Sequence, residues 1–135
     1  MKLKDIMTTN AECCEPSAPI AEIAGKMRDY NVGSIPVCEN GKLTGIVSDR
    51  DIVIRCVAEN ETDAAARDIM STQMVTGHPD MSAEEAGDLM AEHQIRRLPI
   101  VEDGRLVGIV ALGDLSVSHA DEKAGEALSE ISKPA

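Results

Sequence analysis

The stretch VGSIPVCENGKLTGIVSDRDI, residues 32–52, holds two apolar runs separated by Asn40-Gly41. Asn-Gly accepts positive φ at both centres of a tight turn, so the stretch predicts a β-hairpin with a type I′ turn. Ser34 to Cys38 runs up and Leu43 to Val47 runs back. The same hairpin is written again as IRRLPIVEDGRLVGIVALGDL, residues 95–115, with Leu98 to Val101, a turn at Asp103-Gly104, and Leu106 to Val110. The continuous apolar run LVGIV predicts a strand buried on both faces.

Working outward, the whole chain matches itself at an offset of 63 without a gap. Asp5-Ile6-Met7 falls on Asp68-Ile69-Met70, Thr9 on Thr72, Pro16 on Pro79, Met27 on Met90 and Pro36 on Pro99. Gly45, Ile46, Val47 and Asp51 fall on Gly108, Ile109, Val110 and Asp114. Each copy opens with a short helical turn ending in DIM. An extended segment follows, around Glu12 to Cys14 and Met74 to Thr76. A helix comes next, with apolar positions Ile20, Ile23, Ala24, Met27 and Tyr30 in one copy and Ala83, Ala86, Leu89, Met90 and His93 in the other. In the second copy Ser82 and Glu85 form a capping-box pattern. After the hairpin a last helix starts near Arg50 and near Asp114. The prediction is an α/β (α+β) fold: two β-α-β-β-α repeats, 1–62 and 63–120, packed sheet to sheet with pseudo-twofold symmetry. Residues 121–135 read as an acidic C-terminal tail or helix.

Composition narrows the function. The chain has 135 residues, 43% of them hydrophobic, and a formal net charge of −11. It lacks the basic stripe that neutralises phosphates in a nucleic-acid binder. No apolar run is long enough to span a bilayer and the N-terminus carries no signal-peptide apolar region, so no membrane contact and a cytoplasmic location are expected. Tyr30 is the sole aromatic residue, so a ligand base would have no aromatic platform to stack on. There is no C-x-x-C pair, and His78, His93 and His119 are widely spaced; no metal site is expected. No nucleophile–base pair, Gly-rich phosphate loop or paired carboxylates appear, which argues against an enzyme.

The duplicate, its two hairpins and the endings GIVSDRD and GIVALGD resemble a tandem pair of CBS (cystathionine-β-synthase) domains, the Bateman module, of the stand-alone bacterial or archaeal type. The likeness runs from about Leu3 to about Val117. It implies a regulatory or sensory module that binds an adenosine-containing ligand such as AMP, ADP, ATP or S-adenosylmethionine in interdomain clefts. It implies no other cofactor. The family's last strand ends in G-h-h-[ST]-x-x-D, where h is apolar; the Asp holds ribose hydroxyls and the Ser or Thr a phosphate or ribose oxygen. Gly45, Ser48 and Asp51 complete that motif in the first copy. In the second, Gly108 and Asp114 are present but Ala111 replaces the hydroxyl. Base-reading backbone would come from Thr9, Val32 and Gly33, and from Thr72, Ile95 and Arg96. The basic positions before Pro99 are Arg96 and Arg97. One cleft would join Ser48 and Asp51 to Thr72, Ile95 and Arg96. The other would join Asp114 and Arg97 to Thr9 and Val32.

The chemistry suits these roles. A carboxylate accepts two hydrogen bonds from a vicinal diol, a strand end opening into a helix offers N–H groups to phosphate, and Arg supplies a charged fork. Each residue also has a plainer reading. Asp51, Asp114 and Ser48 stand where helix caps stand, and strand alternation sends Arg96 and Arg97 to opposite faces. A ligand-free interaction or assembly module with vestigial clefts therefore stands as the alternative. The resemblance further implies a homodimer formed through helical faces, and a protein partner of unknown identity. Cys13 and Cys38, on neighbouring strands in this fold, are candidates for a disulfide if their side chains share a face.

Overall fold

The computed structural model describes residues 1–117 and Ile131; the expected tail, 121–135, lies outside the described residues but for Ile131. The chain divides into two compact units, one made of 12–74 and the other of 1–11 with 75–135. These units do not coincide with the sequence repeats. The opening segment of each copy is built into the unit that holds the other copy's hairpin.

In the 12–74 unit, α1 (Ile20–Tyr30) leads to the hairpin of β1 (Ser34–Glu39) and β2 (Lys42–Ser48). A short α2 (Asp49–Asp51) runs straight into a π-helical stretch, Ile52–Val57, and α3 (Ala66–Ile69) closes the unit. In the other unit, a 3-10 turn at Leu3–Asp5 joins α4 (Ala83–His93), the hairpin of β3 (Arg97–Glu102) and β4 (Arg105–Ala111), and a 3-10 stretch Leu112–Val117.

The hairpin turns are as expected: Asn40 and Gly41 have φ of 54° and 83°, Asp103 and Gly104 of 53° and 80°. Both hairpins carry a bulge at the same place, between Val37 and Cys38 and between Ile100 and Val101. In the first, the Thr44 hydroxyl donates to the Val37 carbonyl at 3.1 Å. The predicted lead-in strands contract to single parallel bridges, Cys14 with Val37 and Gly77 with Ile100. The two-sided burial expected of LVGIV covers only Gly108, Ile109 and Val110; Leu106 and Val107 are half-exposed. On α1, Ala24 and Tyr30 face solvent, and so does His93 on α4, so each apolar stripe is narrower than its periodicity suggests. Ser82 caps α4 by accepting from the Glu85 amide at 3.1 Å. Asn31 and Gln94 end α1 and α4 in the left-handed conformation.

The exchanged segments dock in the same way in both units. Thr8 and Ile109 trade backbone hydrogen bonds at 2.9 and 3.0 Å; Ser71 and Ile46 do so at 2.8 and 3.0 Å. The Leu3 amide donates to the Met81 carbonyl, and Ala66 to Ala18. Gly45 and Gly108 explain the glycine kept at both strand centres. A Cβ on Gly45 would stand 2.5 Å from Met70 Sδ and 3.0 Å from the Ser71 carbonyl. On Gly108 it would stand 2.6 Å from Met7 Sδ and 3.0 Å from the Thr8 carbonyl. The DIM methionine thus lies over a strand that only glycine leaves low enough. Each unit closes its own core: Ile23, Ile35, Val37, Val47 and Ile69 in one; Leu3, Met90, Leu98, Ile100 and Val110 in the other.

Candidate functional site

β2 ends at Ser48, whose extended backbone turns into α2. The Ser48 Oγ accepts from the Asp51 amide at 3.0 Å, and the Ser48 amide donates to Asp51 Oδ2 at 2.8 Å. This is a reciprocal capping box with Asp in the place usually held by Glu. The plainer reading of Ser48 and Asp51 therefore holds as far as it goes: both cap. It leaves Asp51 Oδ1 turned toward Arg55, whose Nε lies 3.8 Å away one helical turn on. The Asp51 side chain is 16% exposed. Arg55 Nη1 also donates to the Ile69 carbonyl at 3.3 Å. The guanidinium is thereby tied to both the helix and the segment after α3. Beside it lies an open groove of about 240 Å³ lined by Arg55, Met70, Ser71, Thr72 and Gln73.

The expected set thus divides between the units. Ser48, Asp51, Thr72, Val32 and Gly33 belong to the 12–74 unit, and Thr9, Ile95, Arg96, Arg97 and Asp114 to the other. The second copy repeats the geometry with one part missing. The Ala111 amide donates to Asp114 Oδ2 at 2.8 Å, but no hydroxyl returns the bond. Arg97, cross-strand partner of Ala111, is half-buried while Arg96 is exposed. Burial lowers the pKa of the Arg97 guanidinium, and the nearby Asp114 carboxylate opposes that shift.

The edges expected to read a base are partly engaged by the fold itself. The Val32 amide donates to Met27, and Ile95 to Met90. The Gly33 and Arg96 carbonyls accept from the Asp49 and Leu112 amides at 2.9 and 2.8 Å. Each carbonyl has a second lone pair, so base recognition by these edges would use carbonyl oxygens more than these amides.

Arg55 is the residue that reading the sequence missed. Its signal was present in the four-residue spacing from Asp51, which places both side chains on one helix face. The cysteines are free thiols. Burial pushes Cys38 up to about 12, helped by contact with Cys13, whose side chain hydrogen-bonds it; burial likewise pushes Cys14 up to about 11. Among the described residues no His, Cys, Asp and Glu side chains gather as a metal site, and no helix is long and apolar enough to cross a membrane.

Two helix-flanked hairpins, each ending in a capped aspartate, define a tandem α+β module. The CBS domain family model matches residues 3–57 and 66–118, and the chain belongs to the CBS domain family. It is 50% identical over 132 residues to the CBS domain-containing protein YhcV of Bacillus subtilis, spanning 96% of this chain and 94% of that one. It is 32% identical to hypoxic response protein 1 of Mycobacterium tuberculosis over 90% of this chain and 86% of the relative. The crystal structure of that protein, with two coordinated zinc ions, superposes with a TM-score of 0.78 over 87% of this chain and 98% of that one. The CBS domain pair of MJ0100, solved with 5′-methylthioadenosine and S-adenosyl-L-methionine, is 27% identical with a TM-score of 0.77, covering 90% and 98%.

Proposed function

We propose that the chain is a regulatory CBS-pair module, not an enzyme, that binds an adenosine-containing ligand and passes the bound state to a protein partner. The observation that carries this reading is the Asp51 carboxylate. One oxygen accepts from the Ser48 amide and the other faces Arg55, which lines a polar groove; a carboxylate held at a helix start suits a ribose diol. The adenosine derivatives bound by the MJ0100 pair support the ligand class. Thr72 would border the same ligand, with Val32 and Gly33 offering backbone carbonyls. Asp114 with Arg97, and Thr9, Ile95 and Arg96, would supply the second set, weaker on the diol side because Ala111 brings no hydroxyl.

A ligand that binds only the native state raises its melting temperature. Thermal shift with AMP, ADP, ATP, S-adenosylmethionine and NAD at millimolar concentration is expected to show a rise with at least one adenosine-bearing compound. No rise with any of them overturns the reading and leaves the ligand-free assembly module.

A homodimer belongs to the same proposal. Val53, Ile54 and Val57 are 55%, 50% and 60% exposed on the helical stretch that follows Asp51. Apolar side chains clustered on one exposed helix face favour coverage by a second copy.

A further inference from the structure

Three of the four cysteines meet beside β1 of the 12–74 unit: Cys13 and Cys14 on the lead-in segment, and Cys38 on the strand. The single parallel bridge between Cys14 and Val37 sorts them by face. The Cys14 amide donates to the Pro36 carbonyl and the Cys38 amide to the Cys14 carbonyl, both at 2.9 Å. Cys14 therefore stands opposite Val37, with both side chains on one face. That face is the core, which Cys14 and Val37 share with Ile35. Alternation sends Cys13, Pro36 and Cys38 to the other face, and there the Cys13 and Cys38 side chains are hydrogen-bonded. The fourth cysteine, Cys56, donates its thiol to the Glu61 carbonyl at 3.1 Å.

The repeat shows that packing does not require sulfur at these two positions. The second copy forms the same bridge, Gly77 with Ile100, and carries Thr76 and Val101 where the first has Cys13 and Cys38. The two thiols also differ in access: Cys13 is half-exposed, while Cys38 is 6% exposed. A small disulfide arriving from solvent meets Cys13 first. Attack by the Cys13 thiolate leaves a mixed disulfide and expels one thiol; attack by Cys38 on the Cys13 sulfur expels the second. Two protein thiols lose two hydrogen atoms, and one small disulfide becomes two thiols. Burial, and after it the charge of Cys13, holds the Cys38 thiol up at about 12. Capping Cys13 removes that charge just when Cys38 must ionise. The position of the bond gives it a consequence. The chain enters the 12–74 unit at Glu12, and one backbone bridge and the Lys26 bond to Glu12 hold the lead-in there. We infer that Cys13 and Cys38 form a reversible thiol–disulfide switch: Cys13 takes up a small disulfide from solution, Cys38 closes the bridge, and the closed form fastens the lead-in to β1.

Equilibrating the full chain in mixtures of reduced and oxidised glutathione tests it, read by intact mass, peptide mapping and thermal melting. The second copy supplies the control residues: Cys13→Thr and Cys38→Val each install what the fold already uses at the matching position. Wild type should lose two hydrogen atoms as oxidised glutathione rises, with the bridge mapped to 13 and 38. It should melt about 10 °C higher when closed and reopen in excess reduced glutathione. Cys38→Val should stop at a glutathione adduct on Cys13, Cys13→Thr should stay unmodified, and neither should show the rise in melting temperature. Either variant suffices if the other fails to fold. The inference is overturned if wild type stops at the adduct, if the bridge joins Cys13 to Cys14 or links two chains, or if Cys13→Thr takes up glutathione as readily as wild type. It is equally overturned if closure leaves the melting temperature unmoved, or if excess reduced glutathione leaves the bridge shut.

Discussion

At the residue scale, Asp51 serves two ends with its two carboxylate oxygens. Removing the carboxylate removes the cap whatever the ligand does. Asp51→Ala is expected to cost about 1 kcal/mol, read as a lower urea midpoint followed by circular dichroism. Asp51→Asn keeps an acceptor for the Ser48 amide and should cost less. An Ala variant as stable as wild type would contradict the capping geometry. The thiols make a second residue-scale case. Cys13 is half-exposed, while Cys14, Cys38 and Cys56 are buried, and the raised pKa values of Cys14 and Cys38 keep them as unreactive thiols at neutral pH. Alkylation of the native chain should therefore label Cys13 first, as seen by peptide mass mapping; equal labelling of Cys38 would contradict that order. The contact between Cys13 and Cys38 also marks the expected bridge under oxidation. Oxidised glutathione, accepting two hydrogen atoms from the two thiols, should join this pair in preference to any other.

At the element scale, the fold turns on the opening segment of each copy. Gly45→Ala would push a methyl against Met70 and the Ser71 carbonyl. It should cost roughly 1–3 kcal/mol as overpacking, and Gly108→Ala should cost a similar amount against Met7 and Thr8. A thermal melt unchanged by either would sink the account of why glycine stands at both strand centres. The lead-in to α1 is tied by charge. Lys26, hydrogen-bonded to Glu12, holds that carboxyl below its ordinary 4.5, against burial and with help from Tyr30. A depressed carboxyl stabilises the fold above its unfolded pKa and loses that contribution as pH falls through its folded value. Wild type should therefore melt above Glu12→Gln at pH values higher than 4.5, with the gap closing below it; a gap that persisted in acid would have another source.

Much of this scale was legible in the chain. Asn40-Gly41 and Asp103-Gly104 announced the hairpins, and Ser82 announced the start of α4. The exchange of opening segments was not legible, for a physical reason. A duplicated sequence reads the same whether Thr8 pairs with Ile46 or with Ile109, because Ser71 and its surroundings repeat the pattern. The short lead-in strands were overdrawn because the ladder stops after one bridge in each copy, Cys14 with Val37 and Gly77 with Ile100. Of the candidate site, the capping pair Ser48 and Asp51 was readable from the motif. Arg55 was not singled out, because its place matters only once the segment from Met70 to Gln73 lies beside it.

At the scale of the whole molecule, the exposed Val53, Ile54 and Val57 set the expectation for assembly. Light scattering coupled to size exclusion should find a dimer for the wild type and a monomer for Val53→Glu combined with Val57→Glu. A wild-type monomer at tens of micromolar would refute the helical-face dimer. Assembly alone would also fit a module with vestigial clefts, so the deciding quantity is ligand binding at the capped aspartate. Calorimetric titration of AMP into wild type and into Asp51→Asn is the most direct test, because Asn preserves the acceptor used by the cap and weakens the hold on a diol. The account predicts measurable AMP binding to wild type, weakened at least about tenfold in Asp51→Asn with the fold intact by circular dichroism. Equal AMP affinity in the two proteins, or no binding to either, would contradict it.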